Sequence, residues 1–175
     1  MKLVVVALAS IAAFAAGQTR AQTAAPPVRS CDSSVYGALA PDWQKSAVPA
    51  GPVWFYFFGT HGRPAEFAHI RGNRYRYRPF KVLAIVRAGV VATATVPPEE
   101  RARLALFYAP NQSVHRALRI SEGQRSVTFE ACADQDTQFN GGFVVAGAHC
   151  AALDVRVQGS DAPVRIALPF GVRAC

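Results

Sequence analysis

The chain has 175 residues, 51% of them apolar, and a formal charge of +8. That length bounds it to one domain with a real hydrophobic core. Arginine outnumbers lysine 16 to 3, a skew that high-GC coding produces as readily as a binding role does, so composition alone singles out no basic site.

The N-terminus reads as a signal peptide over residues 1–21. Lys2 is the charged start, Leu3–Ala16 the apolar stretch, and cleavage fits after Gly17 or Ala21. The stretch is alanine-rich and short of the ~18 apolar residues that mark a membrane span. No cysteine stands where a lipobox would need one, since Cys31 follows Val28-Arg29-Ser30. Of 19 basic residues the leader takes Lys2 and Arg20, which leaves 17 against 11 acidic ones and a charge of +6. Such a field favours an anionic cell-envelope polymer or an envelope protein as partner. Export removes nucleic acid from consideration. Arg87 interrupts the longest later apolar run, so the mature chain carries no transmembrane segment.

Residues 22–30 read as a linker, and residues 31–175 as a single domain. Residues 32–52 carry Pro41, Pro49, Gly51 and Pro52 without a sustained period, so they read as loop with a short helical turn near Asp42-Trp43. Val53–Phe58, VWFYFF, reads as a strand buried on both faces, because a sugar-binding aromatic platform would need only one. Glu66–Arg71 and Arg74–Arg78 read as a hairpin around the primed turn Gly72-Asn73. Its register puts Ile70, Tyr75, Ala68 and Tyr77 on one face. His69, Arg71, Arg74, Arg76 and Arg78 share the other with Phe67. Like charges set opposite one another cost a sheet stability unless solvated or bridged by an anion. Arginine forks suit phosphate or carboxylate, so this is the candidate anion-binding face.

KVLAIVR (81–87) and GVVATATV (89–96) predict two further strands. Pro97-Pro98 ends the second. A polar connection then leads into the strand RLALFYA (103–109). Ala117–Ile120 is expected as a short strand, and Glu122-Gly123 as a turn. Val127, Phe129 and Ala131 alternate with polar neighbours, as a half-buried strand requires. Asp134–Asn140 reads as a polar segment. Gly141-Gly142 marks a reversal, a bulge or a close backbone approach. Strands then follow at Phe143–Val145, at AALDVRV (151–157) and over Val164–Leu168.

Strands at intervals of about ten residues, with Gly and Pro between them, predict an all-β fold, an antiparallel β-sandwich of about seven to nine strands. Four cysteines in an exported chain predict two disulfides among Cys31, Cys132, Cys150 and Cys175. Three connectivities exist. Cys132–Cys150 with Cys31–Cys175 is favoured, since the second pair ties both ends of the domain. One objection stands: in a single long hairpin Cys132 and Cys150 would lie at opposite ends, beyond the ~7 Å that a bridge spans.

No GxSxG elbow or SxxK motif is present, and His61, His69, His115 and His149 are scattered, so no catalytic residue is assigned. Asp134, Asp136 and Asn140 imitate part of a calcium loop. Phe139 stands where that loop needs glycine and Val145 where it needs glutamate. No metal site or cofactor is expected.

The run VTFEACADQDTQFNGGFVVAGAHC (127–150), with PPEERARLALFY before it and LPFG near the end, resembles small exported proteins of high-GC, actinobacteria-like bacteria that carry no characterised function. The likeness covers residues 78–175. It implies export and a β domain, and it brings no active-site residues. The reading is a secreted or envelope-associated β-sandwich that binds an anionic envelope component. The alternatives are an extracytoplasmic hydrolase acting on envelope polymers, or a structural protein with no specific site.

Overall fold

Alternating burial along the strands builds two layers around one core. A computed structural model of the protein describes residues 25–57, 78–108 and 119–175. Twelve short strands form among the described residues. They are β1 (Val28–Arg29), β2 (Ala47–Ala50), β3 (Val53–Tyr56), β4 (Arg78–Lys81), β5 (Leu83–Val86) and β6 (Val91–Thr95). After them come β7 (Leu104–Phe107), β8 (Ser126–Glu130), β9 (Thr137–Phe139), β10 (Gly142–Val145), β11 (His149–Val157) and β12 (Val164–Phe170). The protein is all-β and sandwich-like, as the strand spacing predicts.

The first layer has the order β1-β8-β6-β11-β12. Its inner face carries Ala92, Ala94, Val127, Phe129, Ala151, Leu153 and Val155, all buried, at every second position. The second layer is recorded as two sheets, β2-β3-β5-β9 and β4-β10-β7. They run on into each other. Phe80 lies opposite Phe143 and Ala84 opposite Phe139, so the register is the same on both sides of the break. Val82 donates its N–H to the Gly141 carbonyl at 3.1 Å and carries the ladder across. β4–β5 is therefore one long strand paired with β9–β10.

The core fills the space between the layers. Phe143 of the second layer meets Phe170 of the first at 5.5 Å between ring centroids, and Phe139 meets Phe129 at 5.2 Å. Val53, Phe55 and Phe57 point into it, while Trp54 and Tyr56 face the other way and are covered by Trp43. The VWFYFF run is thus core on one face and capped on the other, and Phe58 lies outside the described residues. Gly142 marks a close approach: a Cβ there would stand 1.9 Å from the Phe80 carbonyl oxygen.

Several expectations are corrected. Residues 28–29, expected in a linker, form β1 and run parallel to β8, with Arg29 opposite Phe129. Residues 47–50, expected as loop, form β2 opposite β3. The polar segment Asp134–Asn140 contains β9, because Thr137 and Phe139 point inward and Gln138 outward. Ile120 opens a 3-10 turn, Ile120–Glu122, and is not the end of a strand. The strand count exceeds seven to nine because the two long strands divide and because β1 and β2 arise where no strand was expected.

The disulfides are Cys31–Cys132 and Cys150–Cys175, which overturns the favoured pairing. Sheet order is the reason. β8 and β11 flank β6, each antiparallel to it. They are parallel to each other, about 10 Å apart at two strand spacings. Cys132 follows the end of β8 and Cys150 opens β11, so they stand at opposite ends of the layer. The parallel pairing of β1 with β8 instead delivers Cys31 to Cys132, Cα to Cα 4.8 Å. At the other end Gly171, with φ 66°, turns the tail back so that Cys175 reaches Cys150, Cα to Cα 5.6 Å.

Candidate functional site

Arg78, the last residue of the expected anion face, opens β4 opposite Val145. His69, Arg71, Arg74 and Arg76 lie outside the described residues, as do the hairpin around Gly72-Asn73 and the signal peptide. β4 continues from Arg78 to Lys81, and Lys81 takes part in a cleft that sequence reasoning missed.

The cleft has its floor on the outer face of the second layer. Phe80, Val82, Ala84 and Phe139 point into the core. The alternate residues Lys81, Leu83, Gln138 and Asn140 therefore point outward, and all four line the cleft. Its wall is the segment 35–39, which passes over them. The cleft is open to solvent, and its volume is about 210 Å³. Tyr36 on the wall is 76% exposed, the highest exposure of any large apolar side chain among the described residues.

The wall is fastened at both levels. Val35 donates its N–H to the Gln138 carbonyl at 2.8 Å, and Gln138 Nε2 donates to the Gly37 carbonyl at 3.0 Å. Ahead of it, Cys31–Cys132 ties the chain to the end of β8. Arg29 secures the same stretch. Its Nε donates to Ser33 Oγ at 2.9 Å and its Nη2 to the Ser33 carbonyl at 2.6 Å. Its Nη1 donates to the Asn140 carbonyl at 3.1 Å and to the Tyr108 carbonyl. The guanidinium carbon lies 5.8 Å from the Phe139 ring centroid. Arg29 is 7% exposed and its hydrogen-bond acceptors are all neutral. Desolvation by burial lowers its pKa from the ordinary value.

A buried arginine held by carbonyls is costly to place and costly to disturb. Here it ties three stretches together: the start of the wall, the Asn140 crossing and the end of β7. No motif announces it, because a lone arginine in a Pro- and Ala-rich stretch reads as linker.

Elsewhere, one histidine meets an acid. His149 Nε2 is 3.2 Å from Glu100 Oε2, and Nδ1 is 3.0 Å from the Gly147 carbonyl. Glu100 Oε1 accepts the Ala152 N–H at 3.2 Å. Both carboxylate oxygens are thus engaged in joining the Pro98–Glu100 turn to the start of β11, and neither residue lines the cleft. His61, His69 and His115 lie outside the described residues. Asp136 Oδ1 accepts the Ala88 N–H at 3.0 Å, which pins the loop before β6. Among the described residues no group of three or more His, Cys, Asp or Glu side chains could hold a metal ion. Among them, too, no helix is long and apolar enough to cross a membrane. Comparison of the chain with protein-family models, with curated proteins and with solved structures finds no match.

Proposed function

We propose that this protein is a secreted or envelope-associated binding module for an anionic polymer of the cell envelope. The single observation that carries the reading is the run of basic residues His69, Arg71, Arg74, Arg76 and Arg78, the last of which opens β4. Arginine forks pair with carboxylate or phosphate, and repeated polymer groups gain from several such contacts at once. The two disulfides agree with an oxidising compartment outside the cytoplasm. The signal-peptide pattern of residues 1–21 agrees with it too. A hydrolytic reading would draw on His149 and Glu100, and that pair stands apart from the cleft lining.

The test is retention of the mature protein on an isolated envelope fraction across a salt series. A variant with Arg71, Arg74, Arg76 and Arg78 changed to alanine is run beside it. Retention that weakens with salt and is lost in the variant supports the reading. Equal retention of the two proteins, or none, sinks it.

A further inference from the structure

The turn between β6 and β7 gathers three arginines that no acid pairs with among the described residues. Its backbone is held at each step. Glu100 donates its N–H to the Pro97 carbonyl at 3.0 Å, Arg101 to Pro98 at 3.3 Å and Arg103 to Glu100 at 2.8 Å. Ala146 donates to the Arg103 carbonyl at 2.8 Å and fixes the turn to the end of β10. Arg125, just ahead of β8, reaches across the turn. Its Nη1 donates to the Arg101 carbonyl at 2.7 Å and to the Leu104 carbonyl at 3.1 Å. Both acceptors are neutral, and Nε and Nη2 make no hydrogen bond among the described residues.

Arg101 and Arg103 flank that contact, and both are exposed. Among the described residues neither side chain makes a hydrogen bond or an ion pair. The two acids of the same turn are spent elsewhere. Glu99 pairs with Arg165 at 2.9 Å, and Glu100 takes His149 and the Ala152 N–H. Charge is thus sorted along the turn: the acids are joined to β11 and β12, and the arginines are left with Arg125.

We propose that Arg101, Arg103 and Arg125 bind a terminal phosphate group. Such a group carries a charge of about −1.5 to −2 and three strong acceptor oxygens, whereas a carboxylate offers one charge and two oxygens. Planar guanidinium forks meet those oxygens two bonds at a time. Arg125 is already ordered by its two carbonyls, which lowers the cost of organising the site around the anion. The site shares no residue with the 69–78 run and goes beyond the proposed function.

The test titrates inorganic phosphate and glycerol 3-phosphate into the mature, disulfide-bonded protein, above the second phosphate pKa of about 6. Sodium chloride holds the ionic strength constant. Arginine Nε–Hε signals in two-dimensional NMR report binding, and those of Arg101, Arg103 and Arg125 are expected to shift together and saturate. Arg101→Gln and Arg103→Gln are each expected to weaken binding at least fivefold. Both side chains are exposed, and circular dichroism checks that the variants fold. Dimethyl phosphate, with two free oxygens and one charge, is expected to bind at least tenfold more weakly. Saturation by inorganic phosphate alone assigns the free ion, by the ester alone a phosphate ester, and by both the phosphate group whatever carries it. Saturation by neither overturns the proposal, as does binding that the two variants leave unchanged. Equally tight dimethyl phosphate would overturn the choice of a terminal group. The two readings fail separately, because the variant without Arg71, Arg74, Arg76 and Arg78 is expected to bind phosphate whether or not the envelope fraction retains it.

Discussion

The Arg29 guanidinium donates to the Tyr108 carbonyl, and the Tyr108 hydroxyl donates in turn to the Val82 carbonyl at 2.9 Å. Val82 sits at the seam where β4 passes into β5. One chain of hydrogen bonds thus runs from the N-terminal strand through the core to the seam under the cleft. Removing Arg29 leaves the Tyr108 and Asn140 carbonyls short of a donor. Each buried acceptor left unsatisfied costs about 1–3 kcal/mol, less what is regained by not burying the charge. Arg29→Met is expected to lower stability by about 2–4 kcal/mol. Arg29→Lys keeps the charge without the fork and falls between. Urea unfolding midpoints measure both; a midpoint unchanged in Arg29→Met would exclude the clamp.

Tyr108 predicts an alkaline limit. Burial raises its pKa well above the ordinary value of 10.0, and the nearby Arg29 charge opposes the shift only in part. Below about pH 10 the phenol is neutral whether the chain is folded or unfolded, so the contribution to stability is complete. Above that pH the unfolded phenol ionises while the folded one stays neutral, and stability falls as pH rises. Phenolate absorbance is therefore expected to show one tyrosine that ionises only with unfolding. Tyr108→Phe loses the bond to Val82, at a cost of about 1–2 kcal/mol. It also removes that tyrosine from the titration. Ionisation of every tyrosine in the folded protein would contradict the assignment.

The strands that read clearly from sequence are those with one wet and one dry face. β6 alternates Ala92 and Ala94 with Val91, Thr93 and Thr95, and β11 alternates Leu153 and Val155 with Asp154 and Arg156. β9 was hidden because only three of its residues pair, inside a polar segment that imitates a calcium loop. β1 was hidden because its one buried side chain is an arginine. The disulfide pairing depended on sheet order, namely that β6 separates β8 from β11, and no local spacing encodes that. The cleft was illegible for a related reason. Tyr36, Lys81 and Gln138 come from three distant segments, and only the shared register of β4–β5 with β9–β10 brings them together.

The two disulfides are expected to differ in worth and in access. Cys31–Cys132 spans 101 residues and Cys150–Cys175 spans 25. Chain entropy then assigns about 4–5 kcal/mol to the first and about 3–4 kcal/mol to the second. Cys132 is buried, whereas Cys150 and Cys175 are exposed. A dithiol at limiting concentration should open Cys150–Cys175 first. Mass mapping of alkylated peptides follows the order. Earlier opening of Cys31–Cys132 would mean that the N-terminal strand leaves β8 more readily than this packing allows.

Three glycines test the seam against an ordinary turn. Gly142 faces outward from β10, and a Cβ there would meet the Phe80 carbonyl oxygen at 1.9 Å. At Gly141 the Cβ would meet the Tyr108 ring at 2.2 Å and the Phe107 carbonyl oxygen at 2.5 Å. Backbone atoms on a paired strand cannot step aside without breaking the ladder. Gly142→Ala is therefore expected to cost more than about 3 kcal/mol, or to prevent folding. Gly147, by contrast, has φ 72° and nothing within 4 Å of its Cβ position. Gly147→Ala carries only the strain of a left-handed residue, about 1–2 kcal/mol. Thermal unfolding of Gly141→Ala, Gly142→Ala and Gly147→Ala ranks them directly. If Gly142→Ala were the mildest of the three, β4 and β10 would not approach as closely as one continuous layer requires.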